Sequence, residues 1–327
     1  MKPEILFMCK IADPEARTVI GKYARIVEIE STDPADVLAN IGGKSGVIVP
    51  YTTGMLVTKE VIDHGKELQL IGSTYGGTRQ NIEDIYCLEK GLTVIHTGAS
   101  RPRPMAEYTL GLILSSLVHL HNYNLYMRTT EPWPRFKYGR SRILHNRRVG
   151  IIGYGRIGQE VINILKTFTD RIMVRSNHLS IEDAEKTGVT KAELNEIFTE
   201  AEIIILAGGY TPETHHMIGT RQFELMQEDA LFVNIARGKM VDQKAMIDAV
   251  SKKNIYLALD VFENEPLEED SPLRQNDRVL ITPHRANNSI EFEQRWMCLA
   301  EEIELFYTGR KPESALTIER ARNMSES

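Results

Sequence analysis

The sequence predicts an α/β fold with two doubly wound parallel sheets in two domains. Short apolar runs alternate with helical stretches over the first hundred residues, and the alternation restarts at Val149. The restart carries Gly153, Gly155 and Gly158 between a strand and a helix. Such alternation calls for parallel strands joined by right-handed crossovers. The 327 residues suffice for two domains that each bury a core.

In chain order, residues 4–9 read as a first strand and Asp13–Tyr23 as the helix after it. Arg25–Ile29 is a second strand, Pro34–Ile41 a helix stopped by Gly42-Gly43, and Gly46–Val49 a third strand. Thr58–His64 is helical, and Leu68–Ile71 makes a fourth strand before Ser73-Thr74-Tyr75-Gly76-Gly77-Thr78. Asn81–Lys90 is a helix and Thr93–His96 a fifth strand. Pro102 and Pro104 then punctuate the chain, and Met105 to about Tyr126 reads as one long helix. Leu110, Leu112, Ile113, Leu114, Leu117 and Val118 nearly encircle it, which predicts burial. Tyr123, Tyr126, Trp133, Phe136 and Tyr138 follow, with Pro132 and Pro134 among them. They form either an aromatic loop on their own domain or an arm packed against a second subunit.

The second series runs through Val149–Ile152, Arg171–Val174, Ile203–Leu206, Leu231–Ile235, Ile255–Leu259 and Val279–Ile281. Helices fall between these strands, Gln243–Ser251 among them. A last helix, about Ser289 to Tyr307, ends at Gly309 and lies where it can complete the first domain. From about Arg320 the chain is polar and is expected to fray.

Hydrophobic content of 42% and charge of 26% are those of a soluble globular protein, and a net charge of -6 argues against a nucleic-acid partner. Met1–Met8 fits a first strand better than a signal peptide, and Tyr108–Val118 is too short to span a bilayer. Cys9, Cys87 and Cys298 are scattered, giving neither a disulfide frame nor a metal cluster, so no metal is expected. These readings point to a cytoplasmic protein without a membrane partner.

The glycines carry the first chemistry. Gly153 makes the tight turn, Gly155 lets main chain approach a pyrophosphate, and Gly158 lets helix and strand pack closely. The helix start offers N–H groups to the anion. Further on, Arg237 sits in N-I-A-R-G, Glu265 in D-V-F-E-N-E-P and His284 in I-T-P-H. Each lies just past a strand, at the edge where open α/β sheets take their ligands. Arginine grips a carboxylate through two parallel bonds, and a histidine exchanges a proton with a hydroxyl or ketone. By residue type alone, isolated charges at loop edges are just as well explained by contact with water.

Taken together, G-Y-G-R-I-G, the run from Thr211-Pro212-Glu213-Thr214 to N-I-A-R-G, D-V-F-E-N-E-P and T-P-H resemble the D-isomer-specific 2-hydroxyacid dehydrogenase family over nearly the whole chain. The resemblance implies a flavodoxin-like substrate domain of residues 1–101 plus 286–327, with a Rossmann NAD(P)-binding domain, 102–285, inserted into it. Hinges are implied near 101–104 and 285–289. It implies hydride transfer between NAD(P)H and the carbonyl of a 2-keto acid, giving a D-2-hydroxyacid. His284 would be the acid/base, Glu265 would hold and charge its imidazole, and Arg237 would bind the substrate carboxylate. Glu263 is left to structure or solvent. Gly76, Gly77 and Thr78 would offer main-chain N–H groups to the other carboxylate oxygen. Gly153, Gly155, Arg156, Ile157, Gly158, Ala236 and Asp260 would line the cofactor, with Asp260 near the nicotinamide carboxamide. A homodimer through the Rossmann domain is implied, which the 105–138 helix and arm suit.

The chain departs from the family's pattern at the ribose. NAD-binding units usually place Asp or Glu about twenty residues after the glycines, to hold the 2′-OH. Here the strand ends Val174-Arg175-Ser176-Asn177-His178. With no acid to repel a 2′-phosphate, and with Arg175, Ser176 and Asn177 able to bind it, NADP is the preferred cofactor. An ordinary polar loop in an NAD enzyme of relaxed preference is the other reading. Leu206-Ala207-Gly208-Gly209-Tyr210-Thr211 stands for the usual L-H-x-P-x-T, and Gly76–Asn81 for G-A-G-x-D-N. Arg79 is either a helix-start residue in solvent or a positive charge for a second substrate group, and Arg285 and Asn287 alter the pocket mouth. The substrate stays open among glyoxylate or hydroxypyruvate, a bulkier 2-keto acid, and a sugar-derived acid. Two competing readings are an NAD(P)-sensing, corepressor-like binding protein and, on the same scaffold, oxidation of a small one-carbon or phosphorus acid.

Overall fold

The structure is a computed structural model describing residues 2–322. Its main-chain contacts separate two compact units: residues up to Arg101 with those from Ile290 onward, and Pro102–Ser289.

The first unit holds strands β1 (Glu4–Phe7), β2 (Arg25–Glu28), β3 (Gly46–Val49), β4 (Leu70–Ser73) and β5 (Thr93–His96). They form one parallel sheet in the order β2-β1-β3-β4-β5, the flavodoxin-like order. Every residue of β3 and β4 is buried, as expected of a parallel sheet covered on both faces. Asp13 and Asp33 cap the first two helices through the N–H groups of Glu15, Ala16 and Ala35, with Pro14 and Pro34 opening those helices. The helix Arg295–Tyr307 lays Trp296, Leu299, Ala300 and Ile303 on Ile5, Phe7 and Ile48. The late helix therefore completes the first unit's core.

The second unit holds β6 (Val149–Ile152), β7 (Ile172–Arg175), β8 (Thr190–Lys191), β9 (Ile203–Leu206), β10 (Leu231–Asn234), β11 (Tyr256–Leu259) and β12 (Val279–Ile281). All seven are parallel, in the order β12-β11-β10-β9-β6-β7-β8, with the reversal of direction beside β6 that marks a Rossmann sheet. Side chains alternate between faces. Ile204, Leu206, Phe232, Leu257 and Leu259 enter one core, while Ile203, Ile205, Leu231, Val233 and Ala258 enter the other. The doubly wound α/β class is therefore borne out in both units.

Several element limits differ from the sequence reading. Instead of one helix from Met105 to Tyr126 there are two, Pro102–Leu117 and Leu120–Thr129. His119 separates them in the left-handed region (φ 53), its ring stacked 5.1 Å from Tyr138 and tilted against Tyr256 at 5.5 Å. Pro102 and Pro104 belong to the first turn of the first helix, where a missing N–H costs nothing. That helix is not buried all round: Arg103, Glu107 and Gly111 form an exposed strip at helical spacing. The helix expected over 81–90 is confined to Asp84–Glu89, and the last long helix begins only at Arg295, after a 3-10 turn over Ile290–Gln294. Arg320 lies inside a short helix, Ile318–Arg322, rather than a frayed end, and residues 323–327 lie outside the described residues.

The aromatic arm folds partly onto its own unit. The hydroxyls of Tyr126 and Tyr138 each donate to Asp277 Oδ2 at 2.9 Å, and Asn122 Nδ2 donates to the Asp277 carbonyl at 2.8 Å. Burial first, and then the Asp277 carboxylate, push the Tyr138 hydroxyl pKa far up. Trp133 and Phe136 stay 71% and 83% exposed. Among the described residues no helix is long and apolar enough to cross a membrane.

Candidate active site

The glycine turn after β6 shows which glycines the chain itself requires. Gly153 has φ +115, and a Cβ there would lie 2.6 Å from the Gly208 main chain. A Cβ on Gly158 would lie 2.3 Å from the Gly153 carbonyl oxygen. Gly155 is different: its backbone is ordinary (φ -75), and a Cβ would meet nothing within 4 Å. The helix Arg156–Leu165 starts there without a side-chain cap, so the Arg156 and Ile157 end of the helix keeps the unfilled N–H groups of an uncapped terminus. Past β7, Arg175 is half-buried, Ser176 buried and Asn177 exposed. Ser176 Oγ accepts the His178 N–H at 3.1 Å, which leaves its hydroxyl hydrogen for donation.

The loops after β10, β11 and β12 carry the other candidates. Buried Asn234 shapes the first loop: its Oδ1 accepts the Ala236 N–H at 3.0 Å and its Nδ2 donates to the Arg237 carbonyl at 3.2 Å. Arg237 Nη1 donates to the Ala236 carbonyl at 2.8 Å. On the next loop, Glu265 Oε1 accepts the Phe262 N–H at 3.0 Å, and Oε2 lies 2.7 Å from His284 Nδ1. The structure thus brings Glu265 and His284 together, with side chains 37% and 41% exposed. A carboxylate at Nδ1 keeps a proton there and leaves Nε2 as the ring nitrogen that can serve a ligand.

His284 is itself in the left-handed region (φ 51), which is uncommon for a non-glycine residue. Asp260 holds it so. The Asp260 carbonyl accepts the His284 N–H at 2.8 Å. Its carboxylate takes Thr282 Oγ1 at 2.6 Å and the N–H groups of Arg285 and Ala286, each at 2.8 Å. With 1% exposure, this carboxylate is placed beneath the His284 turn. Burial raises the pKa of the Tyr108 hydroxyl. Sequence reasoning missed this arrangement, which needs groups some 25 residues apart. It also missed the hydrogen bond between Glu263 and His216, for which the only written hint was the His215-His216 pair.

In the first unit, Gly76, Gly77 and Thr78 follow β4. A Cβ on Gly76 would lie 2.9 Å from Arg101 Nη1, and the Arg101 guanidinium stacks 3.5 Å from the centre of the Tyr75 ring. Thr78 Oγ1 donates to the buried Asp84 at 2.8 Å. Arg79 is not a solvated residue: it pairs with Asp84 at 3.9 Å and donates to the Ala321 carbonyl at the end of the Ile318–Arg322 helix. Arg79→Ala is therefore expected to cost about 1 kcal/mol of stability, the net worth of such a bond, and to leave substrate KM unchanged. Thermal melting and steady-state kinetics check this, and a raised KM would return Arg79 to the substrate. Burial pushes the thiols of Cys9 and Cys87 up to about 11 and about 12, which makes poor nucleophiles of them. Among the described residues, no group of three or more His, Cys, Asp or Glu is placed to hold a metal ion.

A sequence model of the D-isomer specific 2-hydroxyacid dehydrogenase NAD binding domain matches residues 110–286. A Staphylococcus haemolyticus relative assigned by name to the 2-hydroxyacid dehydrogenases is 34% identical over 263 residues, 79% of this chain and 81% of its own length. D-3-phosphoglycerate dehydrogenase of Methanocaldococcus jannaschii is 32% identical over 278 residues, 84% of this chain, and the chain spans about half (52%) of that relative. Among solved structures, the NADPH-dependent glyoxylate/hydroxypyruvate reductase of Sinorhizobium meliloti, in complex with NADP and malonate, aligns with a TM-score of 0.75. The alignment covers 100% of this chain and 99% of that one at 22% identity, a likeness of fold.

Proposed function

The chain belongs to the D-isomer-specific 2-hydroxyacid dehydrogenase family, and from that premise we propose that it reduces a 2-keto acid to the D-2-hydroxyacid with NADPH. The observation that carries this reading is the 2.7 Å hydrogen bond between His284 Nδ1 and Glu265 Oε2 at the carboxyl edge of the sheet. The dinucleotide, when bound, supplies the hydride. His284 gives the proton from Nε2 to the carbonyl oxygen, while Glu265 fixes the ring and stabilises its charged form. Arg237 takes the substrate carboxylate through its planar fork and polarises the neighbouring carbonyl. On the first unit, Gly76, Gly77 and Thr78 carry main-chain N–H groups of the kind that suit a carboxylate.

The residues present suit a dinucleotide. Neither packing nor backbone conformation requires glycine at position 155, so close approach of a phosphate is what remains to explain it. Gly155→Ala is therefore expected to leave the melting temperature unchanged and weaken dinucleotide binding at least about tenfold. Gly158→Ala should instead lower the melting temperature, because its Cβ would press on the Gly153 carbonyl. Equal losses of stability in the two variants would count against a phosphate at Gly155. Arg175, Ser176 and Asn177, with no acid among them, favour NADPH over NADH.

The deciding experiment titrates the protein with NADPH and NADH by fluorescence and then adds glyoxylate, hydroxypyruvate and larger 2-keto acids. Tight NADPH binding followed by its oxidation is the expected result. Binding without turnover would favour the sensing protein, and a preference for NADH would overturn the ribose argument. The exposed Trp133 and Phe136 support a homodimer through the arm.

A further inference from the structure

The loop after β11 carries two glutamates two positions apart, and each meets a histidine. Glu265 meets His284, while Glu263 Oε1 lies 2.7 Å from His216 Nε2. The other oxygen of Glu263 accepts the Gln243 N–H at 3.3 Å, and the Glu263 N–H donates to Gln243 Oε1 at 3.2 Å. His216 reaches this carboxylate from a left-handed backbone (φ 48), with its N–H on the Lys239 carbonyl at 3.0 Å and its ring stacked 4.0 Å from His215. One carboxylate thus gathers the loop after β9, the start of the helix Gln243–Lys252 and the loop that carries Glu265.

A partly exposed carboxylate–imidazole hydrogen bond is worth little to stability by itself. What sets this one apart is the peptide it anchors. On one side the Phe262–Glu263 peptide is so close to Gly238 that a Cβ there would lie 1.8 Å from the Phe262 carbonyl carbon. At the adjoining Val261–Phe262 peptide, the Phe262 N–H holds Glu265 Oε1 at 3.0 Å. A shift of this peptide moves the partner of His284 and the neighbour of Arg237 together.

We propose that Glu263 and His216 form a positioning couple, which sets Glu265 against His284 and Arg237 beside them. The proposal rests on the roles assigned above to Arg237, Glu265 and His284. It gives Glu263 a part in turnover although it touches neither substrate nor cofactor.

The test compares Glu263→Ala, His216→Ala and the double variant, with Glu182→Ala, which removes the exposed Lys186–Glu182 pair, as a control. Glu263→Gln is included because it keeps the side chain's shape should the truncation fail to fold. Three readouts are taken: melting temperature, kcat and KM for a 2-keto acid, and the nitrogen-15 shift of His284 Nδ1. Each single variant is expected to lower kcat about tenfold and to move the Nδ1 shift, and Glu263→Gln should do the same more weakly. The double variant should be no worse than either single one, because the two groups act as one unit. A fall in melting temperature with unchanged kcat and Nδ1 shift would reduce the couple to an ordinary surface hydrogen bond and overturn the proposal. If the unmodified protein reduces no 2-keto acid, the reductase reading fails on its own, and the Nδ1 shift still decides for or against the couple.

Discussion

Replacing His284 is expected to lower kcat by about 10²–10⁴-fold, the range contributed by a positioned proton donor, and to leave NADPH binding unchanged. The imidazole is half-exposed and its one anchored nitrogen faces Glu265, so its removal opens no cavity in either core. The choice of replacement matters, because residue 284 has a left-handed backbone. Alanine there carries a conformational cost of about 1–2 kcal/mol, whereas asparagine accepts that backbone readily. His284→Asn therefore separates the chemistry from the turn, and His284→Ala reports both. Single-turnover oxidation of bound NADPH on adding a 2-keto acid measures the step directly. Substantial turnover in His284→Asn would mean that another group delivers the proton.

Gly238→Ala is expected to be as damaging, by a different route. The added Cβ would stand 1.8 Å from the Phe262 carbonyl carbon and 1.9 Å from its oxygen. These are main-chain atoms, so no rotamer change relieves the overlap, and the two loops must part. Overpacking of this kind costs about 3 kcal/mol, and parting displaces Arg237 from Glu265 as well. Melting should show a clear loss of stability, and kcat/KM should fall by more than the loss of folded protein explains. A variant that melts and turns over normally would show that these loops do not touch. Gly77→Ala, where a Cβ meets nothing within 4 Å, is the matched comparison for stability alone.

The glycine of N-I-A-R-G was legible as a letter but not as a constraint, because its reason lies in another loop. The same division runs through the chain. Strands such as Gly46–Val49, Ile203–Leu206 and Leu231–Asn234 were readable because a buried parallel strand is a short apolar run wherever it occurs. Gly158 was readable because its constraint, the Gly153 carbonyl, is local, and Gly153 because the turn itself needs its positive φ, although its close approach to Gly208 was not. The break at His119 was not, since apolar residues continue through Leu117-Val118 and the rings that His119 meets there, Tyr138 and Tyr256, are supplied by distant parts of the chain. Pro102 and Pro104 misled for a related reason: a proline marks either a gap between helices or the first turn of one. In the candidate site, the His284–Glu265 hydrogen bond was expected from the resemblance. The service of Asp260 to the His284 turn and of Glu263 to His216 depends on loops brought together by sheet order, which no local pattern records. Arg79 was misjudged because its partner, the Ala321 carbonyl, is supplied by the far end of the chain.

The core that joins Ile5, Phe7 and Ile48 to Trp296, Leu299 and Ile303 also sets an order of assembly on the ribosome. All strands of the Rossmann unit emerge in one uninterrupted stretch, so that unit has its full sheet as soon as Val279–Ile281 is made. The first five strands emerge earlier but wait, with one apolar face covered only in part by the helix Pro14–Tyr23, until the helix Arg295–Tyr307 follows. The first unit, though begun before the second, is thus finished after it, and in the meantime it is the part that a chaperone would meet.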